Sequence, residues 1–172
     1  MGAGQWIQQI TLGWLVYDLT ESYFLLGVVG GMRALPMLFV GPLAGVAADR
    51  MDRRLLLMIV ESFLGVWAAL FAFLVAFGDV QVWQIIVFTL VSGAVWSFSG
   101  PIRKALVPNV VPRSELLNAI ALESAGHNAT RIVGPALGGV LIATLGPGVN
   151  FFLQSALYFF GFSFVTRLRL PP

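Results

Sequence analysis

Three ionisable side chains follow one another at four-residue intervals in an apolar part of the chain. Glu123, His127 and Arg131 are spaced i, i+4 and i+8, with Asn128 beside them. A helix would place the three on one stripe about 12 Å long. Because imidazole exchanges protons near neutral pH, the stripe is a candidate proton or substrate path. The alternative is that Glu123 reaches water at a membrane boundary and only pairs with His127.

Two further charges stand alone inside long apolar runs. Arg33 interrupts the run from 24 to 48, and Glu61 interrupts the run from 55 to 77. A charge at membrane depth costs from about 3 to more than 10 kcal/mol, so Arg33 requires compensation. Glu61 is one candidate partner, and water in a central cavity is the other.

The sequence lacks the residue sets that catalysis or metal binding would need. It has no cysteine and one histidine, which excludes thiolate sites and paired-histidine zinc sites. No nucleophile accompanied by an activating base can be identified. We therefore predict that the protein is not an enzyme and holds no metal and no cofactor.

The composition determines which elements carry these residues. The chain is 58% hydrophobic and 10% charged, which is typical of an integral membrane protein. Its apolar runs are continuous and do not alternate every second residue, which predicts spanning helices and an all-α fold. The net charge is only +2, and the arginines lie in short loops, which favours a role in topology over a nucleic-acid partner.

Six membrane-spanning segments are predicted. Span 1 covers Gly2 to Tyr17, and as a helix it reaches only about 24 Å, short of the roughly 30 Å of a bilayer core. It therefore resembles the second half of a spanning helix. The others are span 2 (Phe24–Ala48), span 3 (Leu55–Phe77), span 4 (Val80–Ser99), span 5 (Leu116–Leu145) and span 6 (Val149–Thr166).

The distribution of basic residues predicts the orientation. Alternate connections and the C-terminal end are rich in Arg and Lys, whereas the connections between them contain none. Basic connections face the cytoplasm, so both termini are predicted to be cytoplasmic and the 100–115 segment is predicted to be an inner loop. The basic residues concerned are Arg50, Arg53, Arg54, Arg103, Lys104, Arg113, Arg167 and Arg169.

Two segments of similar sequence indicate an internal repeat. Val40–Val46 in span 2 resembles Val133–Val140 in span 5. The two spans hold the same place in successive three-helix units that run in opposite directions through the membrane. This arrangement predicts two inverted three-helix repeats, as in many secondary transporters. Chance similarity between Gly-Pro pairs is the alternative.

Several separated motifs together resemble the N-terminal half of a major facilitator superfamily transporter, in the bacterial branch that exports enterobactin and macrolides. They are Gly13–Thr20, Arg33–Pro36, Asp49–Arg54, Ala105–Pro108 and Arg131–Gly139. The resemblance covers essentially the whole chain. It implies a secondary active transporter of two six-helix halves, of which the second is absent from this sequence.

The resemblance also implies roles for two glycine-containing segments. The family's loop signature matches Gly45, Asp49, Arg50, Arg53 and Arg54, with Asp52 in place of the usual glycine. In the family, Gly41 and Gly45 would let a helix of the other half approach closely, and Asp49 would face the N-terminus of that helix. This contact would act as a conformational latch. The set Gly134, Pro135, Gly138 and Gly139 corresponds to a bend in span 5 that accompanies exporters.

The expected function follows from the resemblance. It implies a proton-coupled exporter of small hydrophobic or amphipathic molecules, of the drug or siderophore class, in the bacterial plasma membrane. Its partners would be the lipid bilayer, a small-molecule cargo, protons, and the missing C-terminal half or a second copy. The alternative is a six-helix membrane scaffold or a half-transporter that pairs with itself. An arginine found in the fourth helix of many drug-proton antiporters is absent from span 4.

Overall fold

The protein is a bundle of helices. The computed structural model describes residues 2–167, except for the side chains at positions 2, 48, 49, 104–110 and 113. No strand is present within that range, so the all-α prediction is confirmed. The helices are α1 (Gly2–Thr20), α2 (Tyr23–Met32), α3 (Ala34–Arg50), α4 (Arg53–Phe77), α5 (Val82–Val110), α6 (Leu116–Leu145) and α7 (Pro147–Arg167), with a short 3-10 helix at Arg113–Glu115.

Five helical stretches are long and apolar enough to cross a membrane. They are Tyr23–Ala47, Arg53–Phe77, Val82–Arg103, Leu116–Leu145 and Pro147–Arg167. These stretches match spans 2 to 6 closely. Helix α1 is not among them, since its glutamines at positions 5, 8 and 9 lower its hydropathy. With 19 residues it is nevertheless about 28 Å long.

The turn between α1 and α2 is shorter than the predicted one. Helix α1 continues three residues past Tyr17, and the backbone then reverses at Glu21, whose φ is 50°. A residue in this left-handed conformation commonly ends a helix. The Ser22 side chain then accepts a hydrogen bond from the Leu25 N–H at 3.3 Å, which caps the start of α2.

Span 2 is one helical stretch, Tyr23–Ala47, with a one-residue irregularity at Arg33, whose φ of −63° and ψ of −31° stay helical. Helix α2 ends at Met32 and α3 begins at Ala34. Pro36 explains the irregularity, because it has no N–H to donate to the Met32 carbonyl and its ring would clash with that oxygen. The single charged side chain of this span is therefore located at this irregularity.

The segment from 100 to 110 is helical and not the loop that the sequence analysis predicted. Helix α5 continues through Pro101 to Val110. The two residues that follow the proline are held by the bundle. Ile102 is fully buried, and Arg103 forms an ion pair with Glu61.

The core lies between α4, α5 and α7, with buried residues of α1 and α2 packed against them. Phe71, Phe88 and Phe151 form an aromatic group, in which the Phe71 and Phe88 rings stack with centroids 4.0 Å apart. Phe151 meets Phe71 edge to face at 4.9 Å. A second apolar cluster, which includes Leu57, Ile102, Tyr158 and Val165, lies elsewhere along the same helices.

The helices differ strongly in how much of their surface the chain itself covers. In the most apolar 18-residue stretch of each span, 50% of the stretch is buried in α4 and 44% in α7. The corresponding fraction is 6% for the span formed by α2 and α3, and 11% for α6. These helices present most of their surface to whatever surrounds the bundle.

Helix α1 lies very close to α6. A Cβ added at Gly134 would lie 2.8 Å from the Trp6 Cβ, and one added at Gly138 would lie 2.7 Å from the Ile10 Cγ2. Only glycine permits this separation, as in other close-packed membrane helices. Gly139 differs, because a Cβ there would meet nothing within 4 Å.

This difference predicts a matched pair of stability effects. Gly139→Ala should leave the chain unchanged or stabilise it by up to about 1 kcal/mol through helix propensity. Gly134→Ala should be about 1–3 kcal/mol less stable than Gly139→Ala, because the added methyl group overpacks the contact with α1. The measurement is the free energy of unfolding of the chain in mixed micelles. Equal free energies of unfolding for the two variants would contradict the close contact between α1 and α6.

Candidate functional site

One buried ion pair joins α4 to α5. Arg103 Nη2 donates to Glu61 Oε1 at 2.9 Å, and the Glu61 side chain is fully buried whereas that of Arg103 is 31% exposed. The second oxygen of Glu61, Oε2, has no hydrogen-bond partner in the described chain. Loss of one member of such a pair leaves an uncompensated charge, at a cost of about 3–5 kcal/mol.

The proposed pairing of Glu61 with Arg33 is therefore wrong. Glu61 pairs with Arg103 because α3 packs mainly against α5 and only weakly against α4. Within residues 2–167, Arg33 forms no ion pair. Its guanidinium lies over the Trp96 ring instead, with Cζ 5.5 Å from the ring centroid.

Arg33 also borders an open cavity of about 200 Å³ between α2, α3 and α5. A cation–π contact contributes roughly 0.5–2 kcal/mol, less than the cost of about 3 kcal/mol or more for a charge at membrane depth. Trp96 alone does not compensate Arg33.

The loop between α3 and α4 has two clear structural contacts. The Asp52 carboxylate accepts a hydrogen bond from the Leu55 N–H at 3.0 Å, which caps α4. This cap gives a local reason for an acid where the family usually has glycine. Arg54 Nε donates to the Val165 carbonyl at 3.2 Å, and its Nη2 donates to the Thr166 carbonyl. Cations are favoured at such a helix C-terminus.

The other loop residues make fewer described contacts. Arg50 is exposed at the end of α3, and Arg53 is the first residue of α4. The Asp49 side chain lies outside the described part of the chain. A Cβ added at Gly41 or Gly45 would meet nothing within 4 Å, so this face of α3 is open.

The polar stripe on α6 lies beside α1 and is otherwise uncovered. Glu123, His127, Asn128 and Arg131 are all exposed. The His127 ring lies 6.1 Å from the Trp6 ring, centroid to centroid, and the Arg131 Cζ lies 5.5 Å from the Trp6 centroid. No ion pair joins these charged residues in the described structure, so the alternative that Glu123 only pairs with His127 is not observed.

The bend residues of α6 lie within one uninterrupted helix. It runs from Leu116 to Leu145 and includes Pro135. Gly134 and Gly138 face α1, whereas Gly139 faces open space. Whether α6 bends here during a functional cycle stays a prediction.

The sequence analysis missed a group of buried amides between α1 and α7. Asn150 Nδ2 donates to Thr11 Oγ1 at 2.8 Å and to the Gly138 carbonyl at 3.0 Å. Gln154 Nε2 donates to Gln8 Oε1 at 2.6 Å. The signal was present, because Asn150 and Gln154 are one helical turn apart in an apolar segment, and polar residues at helical spacing mark the side that faces protein.

Comparison with known proteins places these features in a family. The family described as transmembrane secretion effector matches residues 1–170. The staphyloferrin A transporter of Staphylococcus aureus is 31% identical over 157 residues, covering 91% of this chain and 40% of that protein. The multidrug efflux pump Tap of Mycolicibacterium fortuitum is 30% identical, covering 87% of this chain and 37% of that protein.

A macrolide efflux protein of Streptococcus pyogenes is 24% identical, covering 81% of this chain and 36% of its own length. This chain thus spans less than half of the length of these relatives. No solved structure gives a significant match. The match over almost the whole chain, on a helical bundle with charges inside its spans, shows that the protein is a multi-pass membrane protein that belongs to the transmembrane secretion effector family of major facilitator superfamily transporters.

Proposed function

We propose that the chain is the N-terminal half of a proton-coupled exporter of small hydrophobic or amphipathic molecules in the bacterial plasma membrane. The observation that carries this proposal is the position of its charges. Arg33, Glu123, His127 and Arg131 lie on the span formed by α2 and α3 and on α6, which the chain itself covers least. Charged faces of this kind line a hydrated path or a protein interface.

A second half would cover these faces, and two facts support its existence. The chain spans only 36% to 40% of the three relatives compared above. The open face at Gly41 and Gly45 has room for a close helical neighbour. In this proposal α1 also spans the membrane, which gives six spans. The first three-helix unit is α1, the span formed by α2 and α3, and α4. The second unit is α5, α6 and α7, and the two units are inverted repeats.

The direct test of export uses the full-length transporter in proteoliposomes. A pH gradient is imposed, and the transport of a panel of small amphipathic compounds, some anionic, some neutral and some cationic, is recorded. We expect gradient-driven export of at least one member. Absence of export for the whole panel, from a protein that unfolds cooperatively, would contradict the proposal.

The orientation with both termini in the cytoplasm predicts a labelling pattern. The chain has no cysteine, so a thiol reagent labels only the single cysteine introduced at Met51 or at Asp79. Met51→Cys should react only from the cytoplasmic side, and Asp79→Cys only from outside, because the basic loop is retained inside. Labelling of Met51→Cys from outside in intact cells would reverse the topology.

Proton coupling through the α6 stripe predicts a selective defect. In the full-length transporter, His127→Asn should lose pH-gradient-driven export, because the side chain no longer exchanges a proton. It should retain cargo exchange without a gradient. Ile132→Ala, on another face of the same helix and 76% exposed, is the control and should retain both. If His127→Asn and wild type show equal export driven by the pH gradient, His127 is not part of the proton path.

The latch predicts an effect on conformation and not on cargo affinity. Asp49→Asn keeps the shape of the side chain and removes its charge. A loss of about 1 kcal/mol at a helix N-terminus changes the ratio of the access states roughly fivefold. Accessibility of outer-cavity cysteines in the full-length transporter measures that ratio. Unchanged accessibility with weakened cargo binding would instead assign Asp49 to a binding site.

A further inference from the structure

The cavity beside Arg33 is built from two regular helical stripes. Gly30, Arg33, Ala34 and Met37 form one wall, and Gly93, Trp96 and Ser97 form the other. Residues at these i, i+3, i+4 and i+7 spacings share one face of a helix. The cavity is therefore a feature of how this span meets α5.

Close backbone contact brings α5 against the chain at Arg33. A Cβ added at Gly93 would lie 3.0 Å from the Arg33 carbonyl oxygen, so α5 touches the chain at the irregularity. The Arg33 side chain then extends over Trp96, three residues along α5. Ser97 Oγ donates to the Gly93 carbonyl at 2.8 Å, which leaves Arg33 as the charged donor of the lining.

The electrostatics of this cavity favour an anion. Arg33 lies about 15 Å along the 25-residue span that begins at Tyr23, near the middle of a hydrocarbon core of roughly 30 Å. No acidic side chain lines the cavity.

We propose that this cavity is a subsite for the carboxylate of an aromatic or similarly apolar cargo. The guanidinium fork matches a carboxylate in two parallel hydrogen bonds. The Trp96 ring and the Met37 side chain contact the apolar part of the cargo. At about 200 Å³, the cavity accommodates a single-ring carboxylate. This inference rests on the proposed export function and adds the charge of the cargo to it.

The test measures binding by the 172-residue chain in phosphatidylcholine nanodiscs. The probes are benzoate, benzyl alcohol and benzylammonium, measured by calorimetry against empty nanodiscs to remove partitioning into lipid. We expect benzoate to bind about tenfold or more tightly than benzyl alcohol, since charge-assisted hydrogen bonds provide that difference, and benzylammonium to bind least.

Three variants separate the contributions. Arg33→Gln should abolish the preference for benzoate over benzyl alcohol. Gly30→Leu keeps Arg33 and should block both probes by filling the cavity, because a Cβ at Gly30 meets nothing within 4 Å. Arg167→Gln removes an exposed positive charge at the end of α7 and should leave the preference unchanged.

The outcomes that would overturn the subsite are equally defined. They are an equal affinity of wild type for benzoate and benzyl alcohol, a preference for benzylammonium, a benzoate preference that survives Arg33→Gln, or benzoate binding that survives Gly30→Leu. Displacement of benzoate by phosphatidylglycerol in the nanodisc would assign the site to a lipid headgroup and overturn the cargo subsite. Export of the amphipathic panel is measured separately, so a failure of this subsite and a failure of the export function are distinguishable.

Discussion

A membrane interior provides no water to satisfy charges and polar groups, and this constraint determines which helices of the protein meet. The Glu61–Arg103 ion pair shows this constraint most clearly, because each charge compensates the other. It joins α4 and α5 at a point where Pro101 would otherwise favour the end of a helix, and Ile102 is buried beside it. The pair therefore joins the C-terminal part of α5 to α4, next to the second apolar cluster.

The remaining polar side chains inside the spans fall into two groups. The amides of α7 find partners on α1, which attaches the least apolar helix to the core. Arg33 lies over Trp96, and His127 and Arg131 of the α6 stripe contact Trp6. The protein thus separates polar groups that hold the bundle together from charged groups that remain available to something outside it.

Much of the fold could be predicted from single-segment properties. Long apolar runs located α4, α6 and α7 to within a few residues, because length and hydropathy are local. The irregularity at Arg33 was also accessible, since Pro36 removes a backbone donor. The continuation of α5 was not, because Pro101, Arg103 and Lys104 are typical of a loop, and the partner of Arg103, Glu61, is 42 residues away in the sequence. The choice between Arg33 and Arg103 as the partner of Glu61 likewise required knowing which helices are neighbours.

The amide contacts between α1 and α7 have a consequence for biogenesis. Thr11 and Asn150 are separated by 139 residues, and Gln8 and Gln154 by 146. At a synthesis rate of roughly 5–20 residues per second, α1 waits about 7–30 s before its polar partners leave the ribosome. During that interval its glutamines must stay in the interfacial region, in the translocon or beside a chaperone. This contact between α1 and α7 therefore forms only after α7 has emerged.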